Sequence, residues 1–399
     1  MSMFRQIASV TVMNLRSVPQ RLASSSVVVV GIAGVVAVLM SVSALTRSMS
    51  DAVLATGSPD RAIVLRAGAT GEFSSTLLVD AVATIKDAPG IARTASGGPA
   101  AAGGPAASAE FVTGVNLLRK ENGARAGLTV RGVDPAAMAV RPEISIIDGR
   151  TFNPGLREIL VGRGALEEFR GVAIGDEVAL RDSRWTVVGV FESDGDANES
   201  SLMTDAATLL SAYQRTAVNS VTVRLESEAA FDEFKAALTT NPTLSVSVDR
   251  ESDYYARESA EAGDIFRIVG AAVAVFMGLG AIFAALNTMY SAVSARAREI
   301  ATLRAIGFGA GGVVVSVLAE SLVLSLIGAS IGAAISWLMF NGNTVTLGDS
   351  LDTLVFKMQV TPALLGLGVL LAIGVGLVGG LFPAVRAARL PVATALRAV

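Results

Sequence analysis

From Ile268 to Ala295 the chain carries no charged residue for 28 positions, and after Arg304 another 15 pass before the next charge, Glu320. As a helix, the run of 28 is long enough to cross a hydrocarbon core of about 30 Å. The connecting segment 294–308 holds Arg296, Arg298, Glu299 and Arg304 within nine residues. Short basic segments between spans stay on the cytoplasmic side. Arg296, Ile300 and Arg304 recur at a spacing of four, as do Glu299 and Leu303. The spacing predicts a short helix with two faces, one for the lipid headgroups and one for a soluble partner.

The same reasoning divides the rest of the chain. Residues 24–46 are uncharged and, as a helix of roughly 34 Å, predict a first span. A cleaved signal peptide, suggested by Val42-Ser43-Ala44, has a shorter and earlier apolar core. Residues 263–293, 309–340 and 360–383 predict three further spans, with 341–359 as a short outer loop. Residues 1–23 predict an amphipathic helix on the inner membrane surface, bent or ended near Pro19, and 384–399 a cytoplasmic tail. Each of the three inside segments has three Arg, which places both termini inside. Residues 51–262 carry 30 acidic against 20 basic residues, while the remainder carries 5 against 12. That split suits an acidic domain outside, spanning 47–262, and basic segments inside.

Within this domain, strands are predicted at 62–65, 110–117, 128–132, 158–161, 177–180 and 185–190, and helices at 74–86, 164–169 and 205–213. A strand–helix–strand follows at 221–225, 231–238 and 244–248. The Gly/Ala/Pro-rich stretch 95–109 reads as a loop. The fold class is a four-helix membrane protein with an α+β extracytoplasmic domain between the first and second helices, split by a strand-rich insert at about 90–215.

The chain has no Cys and no His, which removes thiolate chemistry, disulfides, His general bases and His or Cys metal sites. None of its four Lys follows a Gly, so it lacks the phosphate-cradling loop of ATPases. Gly307-x-Gly309-x-x-Gly312 matches a dinucleotide pattern but follows no strand, and reads as a joint. The acidic run 192–199 lacks the register of a calcium loop and reads as a solvated loop. No basic patch is interleaved with aromatics, so nucleic acid is not an expected partner. Glu320 is the one charge deep in a span, where a carboxylate is costly and faces protein or water. It reads as an interhelical anchor, with a proton-carrying role as the rival.

The segment around 287–307 resembles the FtsX-like, MacB-type permease family. The match runs through Asn287, Met289, Ser291, Val293, Arg296, Arg298, Glu299, Ile300, Leu303, Arg304, Ala305, Ile306 and Gly307. Ala295 and Ala301 depart from it, standing where the family has Glu and Gly. Val133-Asp134-Pro135, 158–162, 175–178 and 185–190 are similar to the family's periplasmic domain. Pro383, Ala384, Arg386, Ala387, Ala388, Arg389, Leu390, Pro391, Ala395, Leu396 and Arg397 are similar to its closing motif.

The resemblance implies an ABC transporter permease of a bacterial inner membrane, itself non-catalytic and without a cofactor. ATP and Mg would sit on a separate ATPase subunit, which grips Ser294, Arg296, Arg298, Glu299, Leu303, Arg304, Ile306 and Gly307. It also implies a second permease subunit, identical or not, and leaves room for a periplasmic adaptor or substrate protein. Its periplasmic fold would have a split βαβ layer and a mostly β insert, moved mechanically for export or extraction. An FtsX-like regulator that activates a cell-wall hydrolase without transport is the alternative. A sensor or scaffold with no ATPase partner is a third reading.

Overall fold

The computed structural model describes residues 22–94, 103–306, 309–348 and 353–389. The amphipathic helix expected at 1–23 therefore lies outside the described residues up to position 21, as do Gly307, most of the tail and the first part (95–102) of the Gly/Ala/Pro stretch. The chain divides into two compact units. One comprises 1–47, 264–343 and 358–399, and the other 48–263 with 344–357.

In chain order the elements are α1 (Leu22–Thr56), β1 (Arg61–Arg66), β2 (Leu77–Leu78), α2 (Val79–Lys86), β3 (Ala107–Leu118), β4 (Arg125–Val133), α3 (Ala137–Val140), β5 (Ser145–Gly149), β6 (Glu158–Gly162), α4 (Arg163–Glu168), β7 (Glu177–Leu180), β8 (Ser183–Glu192), β9 (Ser201–Asp205), α5 (Ala206–Tyr213), β10 (Ala217–Val218), β11 (Ser220–Arg224), α6 (Phe231–Thr239) and β12 (Val246–Arg250). Then follow α7 (Glu251–Ala295), α8 (Ala297–Ala305), α9 (Ala310–Phe340), β13 (Thr344–Gly348), β14 (Thr353–Lys357) and α10 (Pro362–Ala388).

The larger unit is built on one sheet of order β12-β1-β11-β3-β4-β9-β6-β8-β5, with β7 on β8. β11 and β12 flank β1, each antiparallel to it, and α6 joins them, which makes a split βαβ layer. β1 is buried on both faces because two different partners cover it. Ala62 and Val64 pack with Ile85 of α2 and Phe234 and Leu238 of α6, whereas Ile63 and Leu65 pack with Tyr254 and Tyr255 of α7. Double burial removes the alternation of a one-sided strand and leaves the continuous apolar run AIVL between Arg61 and Arg66. The strand-rich insert has its own core around Trp185, Phe169, Leu128 and Leu202.

Several boundaries differ from the sequence reading. β3 begins at Ala107 and Pro105 bridges Arg93, so the end of the Gly/Ala/Pro stretch is ordered by pairing with β11. β9, Ser-Leu-Met-Thr-Asp, is wholly buried between β4 and β6, and its polar composition concealed it. α7 begins 12 residues before the expected span, with Glu251 and Asp253 in its first turn, where carboxylates favour the helix dipole. Residues 344–348 and 353–357 form a hairpin whose Val355 enters the insert core. Val355 N–H donates to Ser200 Oγ at 2.8 Å, and that hydroxyl donates to Val355 O at 2.9 Å.

The smaller unit holds the apolar helices. Ser25–Thr56, Arg267–Ala295, Ala310–Phe340 and Pro362–Ala388 are, among the described residues, four helices long and apolar enough to cross a membrane. Small residues set their packing. A Cβ on Gly328 would meet Val29 O at 2.8 Å and Ile32 Cβ at 3.0 Å, and one on Gly380 would meet Ser321 Cβ at 2.7 Å. The spacings Gly328-xxx-Gly332 and Gly376-xxx-Gly380 thus bring α9 onto α1 and α10 onto α9 within a single chain. Ser321 Oγ donates to Gly376 O at 2.7 Å across the second contact.

The acidic run 192–199 is not a solvated loop. Ser193, Asp196 and Asn198 are buried, and Asp196 caps the short turn 197–200. Ser193 Oγ donates to its carboxylate at 2.9 Å, and Asn198 donates through its backbone N–H at 2.9 Å and its amide at 2.8 Å. Burial nevertheless pushes the Asp196 carboxyl up from 3.8 to about 7. The folded chain then keeps a proton that the unfolded chain has released between about pH 4 and 7, so this contribution is complete below that window and lost as pH rises through it. Asp196→Asn should flatten the fall of stability with pH across the window, as read by denaturant unfolding at several pH values. An unchanged slope would assign the pH dependence elsewhere.

Candidate coupling site

α7 stops at Ala295, Arg296 leaves helical geometry with φ −104° and ψ 10°, and α8 runs from Ala297 to Ala305. Gly309, extended at φ −67° and ψ 147°, then opens α9. The break rotates α8 so that its apolar side meets the neighbouring helices. Ile300 and Ala301 are buried, and Ile300 packs with Met289, Val293, Val313, Val317, Ala384 and Ala387 from α7, α9 and α10. On the other side Ser294, Arg298, Glu299, Thr302 and Ile306 are exposed and Arg304 is half-buried. Leu303 lies in α8, and Gly307 is outside the described residues.

Arg296 and Glu320, 24 residues apart, come together. Arg296 Nη1 donates to Glu320 Oε2 at 3.0 Å, and both side chains are about 5% exposed. Arg296 thus lies on the inner side of the segment while Arg298 and Glu299 lie on its outer side. The signal for the pair was available in the sequence. A lone carboxylate in an apolar span calls for a cation, and the basic segment just before it supplies one. What the residue list could not give is which of three Arg turns inward. The pair ties the start of α8 to a neighbouring helix, α9, and Arg298 and Glu299 are exposed on the other side.

A second cluster was invisible to sequence reasoning. Arg131 binds Glu72 through two bonds of 2.8 Å and Glu110 at 2.5 Å. Arg141 binds Glu110 at 2.5 Å and Glu251 at 3.2 Å. Arg61 binds Glu251 through Nε and Glu143 at 2.5 Å. Glu110 and Glu251 are fully buried. Burial raises the Glu72 carboxyl, but Arg131 more than offsets this and brings it down to about 2. Burial likewise pushes Glu251 up, opposed by Arg141 and Arg61. Among the described residues no group of three or more His, Cys, Asp or Glu is placed to hold a metal ion.

This organisation, an α+β unit together with four apolar helices and a basic two-faced connector, is that of a membrane permease. Residues 23–241 match the MacB-like periplasmic core domain, and residues 271–392 match the FtsX-like permease C-terminal region. The chain belongs to the MacB/FtsX-like family of ABC transporter permeases. The macrolide export ATP-binding/permease protein MacB of Hyphomonas neptunium is 26% identical over 239 residues, which cover 56% of this chain and 35% of that protein. The protein of the same name from Nitrobacter winogradskyi is 27% identical over 239 residues with the same coverage. That from Chromobacterium violaceum is 32% identical over 105 residues, 26% of this chain and 15% of that one. The chain spans about a third of the length of the first two relatives. Among solved structures, the periplasmic region of MacB from Actinobacillus actinomycetemcomitans is 12% identical, covering 50% of this chain and 92% of that one with a TM-score of 0.37. The extracellular domain of the noncanonic ABC-type transporter YknZ from Gram-positive bacteria is 16% identical, covering 47% and 99%, with a TM-score of 0.35.

The Arg296–Glu320 pair gives a direct test of how α8 is held. Glu320→Ala should cost about 3–5 kcal/mol, because it leaves a buried guanidinium without its counter-charge. Arg296→Met combined with Glu320→Leu should recover most of that loss, since a well-packed apolar pair replaces the ions. Thermal unfolding of the detergent-solubilised protein reads both. Equal unfolding temperatures for Glu320→Ala and the parent would show that the pair does not hold the segment.

Proposed function

We propose that this chain is the permease subunit of an ABC transporter in a bacterial inner membrane. Its four apolar helices span the bilayer, both termini are cytoplasmic and the α+β unit is periplasmic. An ATPase docks on the outer face of α8, and ATP and Mg are bound there and not by this chain. Closure of the ATPase moves α8, and the movement reaches the periplasmic unit to drive export or extraction of substrate. A second permease subunit completes the assembly. The observation that carries this reading is the two-faced α8. Arg296 and Ile300 hold its inner side to the helices, while Arg298, Glu299, Thr302 and Ile306 are exposed beside it. The names of the relatives join ATP binding to a permease, and none of the four Lys here follows a Gly to form a phosphate loop.

Charge reversal on the outer face tests the ATPase contact. Arg298→Glu with Arg304→Glu should weaken copurification of the ATPase by about tenfold or more, since desolvated interfacial charge pairs couple by about 1.5 kcal/mol or more. Insertion and folding should survive, because neither residue belongs to the buried Arg296–Glu320 pair. Wild-type copurification together with wild-type ATP-dependent function would remove α8 as the docking site. Orientation is checked separately in this Cys-free chain. Asn122 and Ser294 are both exposed. With an impermeant maleimide on intact spheroplasts, Asn122→Cys should react and Ser294→Cys should not. The reverse pattern would invert the topology.

A further inference from the structure

The end of α1 and the start of α7 meet at a point where the backbone leaves no room for a side chain. A Cβ on Gly57 would lie 2.7 Å from Ser252 Cα and 2.8 Å from Glu251 O. Further along the same two helices, the Ser50 and Ser259 hydroxyls are 2.7 Å apart. Glu251, the first residue of α7, accepts from the Ser58 backbone N–H at 3.3 Å, from Arg61 Nε and from Arg141 Nη2 at 3.2 Å. Arg61 Nη2 donates to Thr56 O, the last carbonyl of α1, at 2.9 Å. One guanidinium therefore holds the ends of both helices. Through Arg141, Glu110 and Arg131 the contacts continue into β3 and β4 and reach Glu72.

Stability is a poor reason for such a cluster. Desolvating paired ions costs as much as or more than their attraction returns, and apolar residues of similar volume do as well or better. The cluster is also incompletely satisfied, because Nε of Arg131 and of Arg141 is buried without a hydrogen-bond partner. Ion pairs do provide direction. Hydrogen bonds weaken steeply with angle, whereas apolar contacts are non-directional and allow sliding.

We propose that this buried ion-pair chain is a rigid joint that fixes the orientation of the paired ends of α1 and α7 on the central sheet, with Arg61, Arg141 and Glu251 as its positioning residues. The ends of α1 and α7 within this unit and the sheet then behave as one body, instead of bending at Gly57. The use of the joint to convey ATP-driven movement rests on the proposed function. The rigidity itself does not.

The test uses the full chain in nanodiscs without ATPase or nucleotide, so its outcome is independent of whether α8 docks a partner. Spin labels go on Asn122→Cys, in the turn between β3 and β4, and on Ala256→Cys in α7, both exposed positions. The parent should give a single narrow distance distribution. Arg61→Met with Glu251→Leu removes one charge of each sign and keeps apolar volume. It should unfold at a temperature near the parent's yet lose the single narrow distribution, a readout that loss of stability alone would not produce. A folded double variant with an unchanged narrow distribution would overturn the joint. Should the double variant fail to fold, Arg61→Lys decides. Its single ammonium cannot hold Thr56 O, Glu143 and Glu251 together, so a broadened distribution supports the joint and a narrow one overturns it.

Discussion

The carboxylate of Glu251 is the constraint on which the larger unit depends. It is fully buried, it begins the 45-residue helix α7, and its partners come from the segment after α1, from β1 and from the loop after α3. A charge in that position is tolerable only if its partners stay within hydrogen-bonding distance and direction, because losing one of them leaves an uncompensated ion. At this junction the ends of α1 and α7 meet β1 through ion pairs surrounded by apolar packing. Ile63, Leu65, Tyr254 and Tyr255 supply that packing on the face of β1 turned to α7.

The connector between α7 and α9 follows the same logic on a smaller scale. Ile300 and its apolar neighbours would allow α8 to rotate or slide over the helices beneath it. Arg296 and Glu320 add a fixed point, at 3.0 Å, that decides which side of α8 is turned outward. A short helix of nine residues has little stability of its own in water. Its orientation must come from tertiary contacts, and here the contact is one buried pair with an apolar patch around Ile300.

Which parts of this were readable from the residues depends on how local the cause is. The apolar spans, the basic connector and the strand–helix–strand at the end of the domain were legible, because each rests on a run of neighbouring residues. β1 and β7 were placed within a residue or so for the same reason. β9 was not, since Ser201, Thr204 and Asp205 look polar, although Thr204 satisfies its hydroxyl on Glu158 O and Asp205 caps α5. The start of α7 was missed because the charge-rich stretch 251–262 precedes the expected span, and only the structure shows that it continues one helix. The buried charges could not be found at all. Arg61, Glu110, Arg141 and Glu251 are spread over 190 positions and are typical of a surface in composition. Of the residues expected to grip an ATPase, Arg296 turns inward onto Glu320, and that turn was not readable from the sequence.

The hairpin of β13 and β14 is held by backbone hydrogen bonds at its feet and by Ser200 along its side. The chain passes between its two units four times, within α1, within α7 and at the two feet of this hairpin. At the feet, Gly342 N–H donates to Met358 O at 2.8 Å and Met358 N–H donates to Asn343 O at 2.9 Å, so the ladder continues past the strands. At the other end of the hairpin's reach, Ser200 clasps both backbone groups of Val355, whose side chain lies in the insert core. None of the four passages is a long irregular segment. Two are continuous helices and two are strand feet closed by backbone hydrogen bonds.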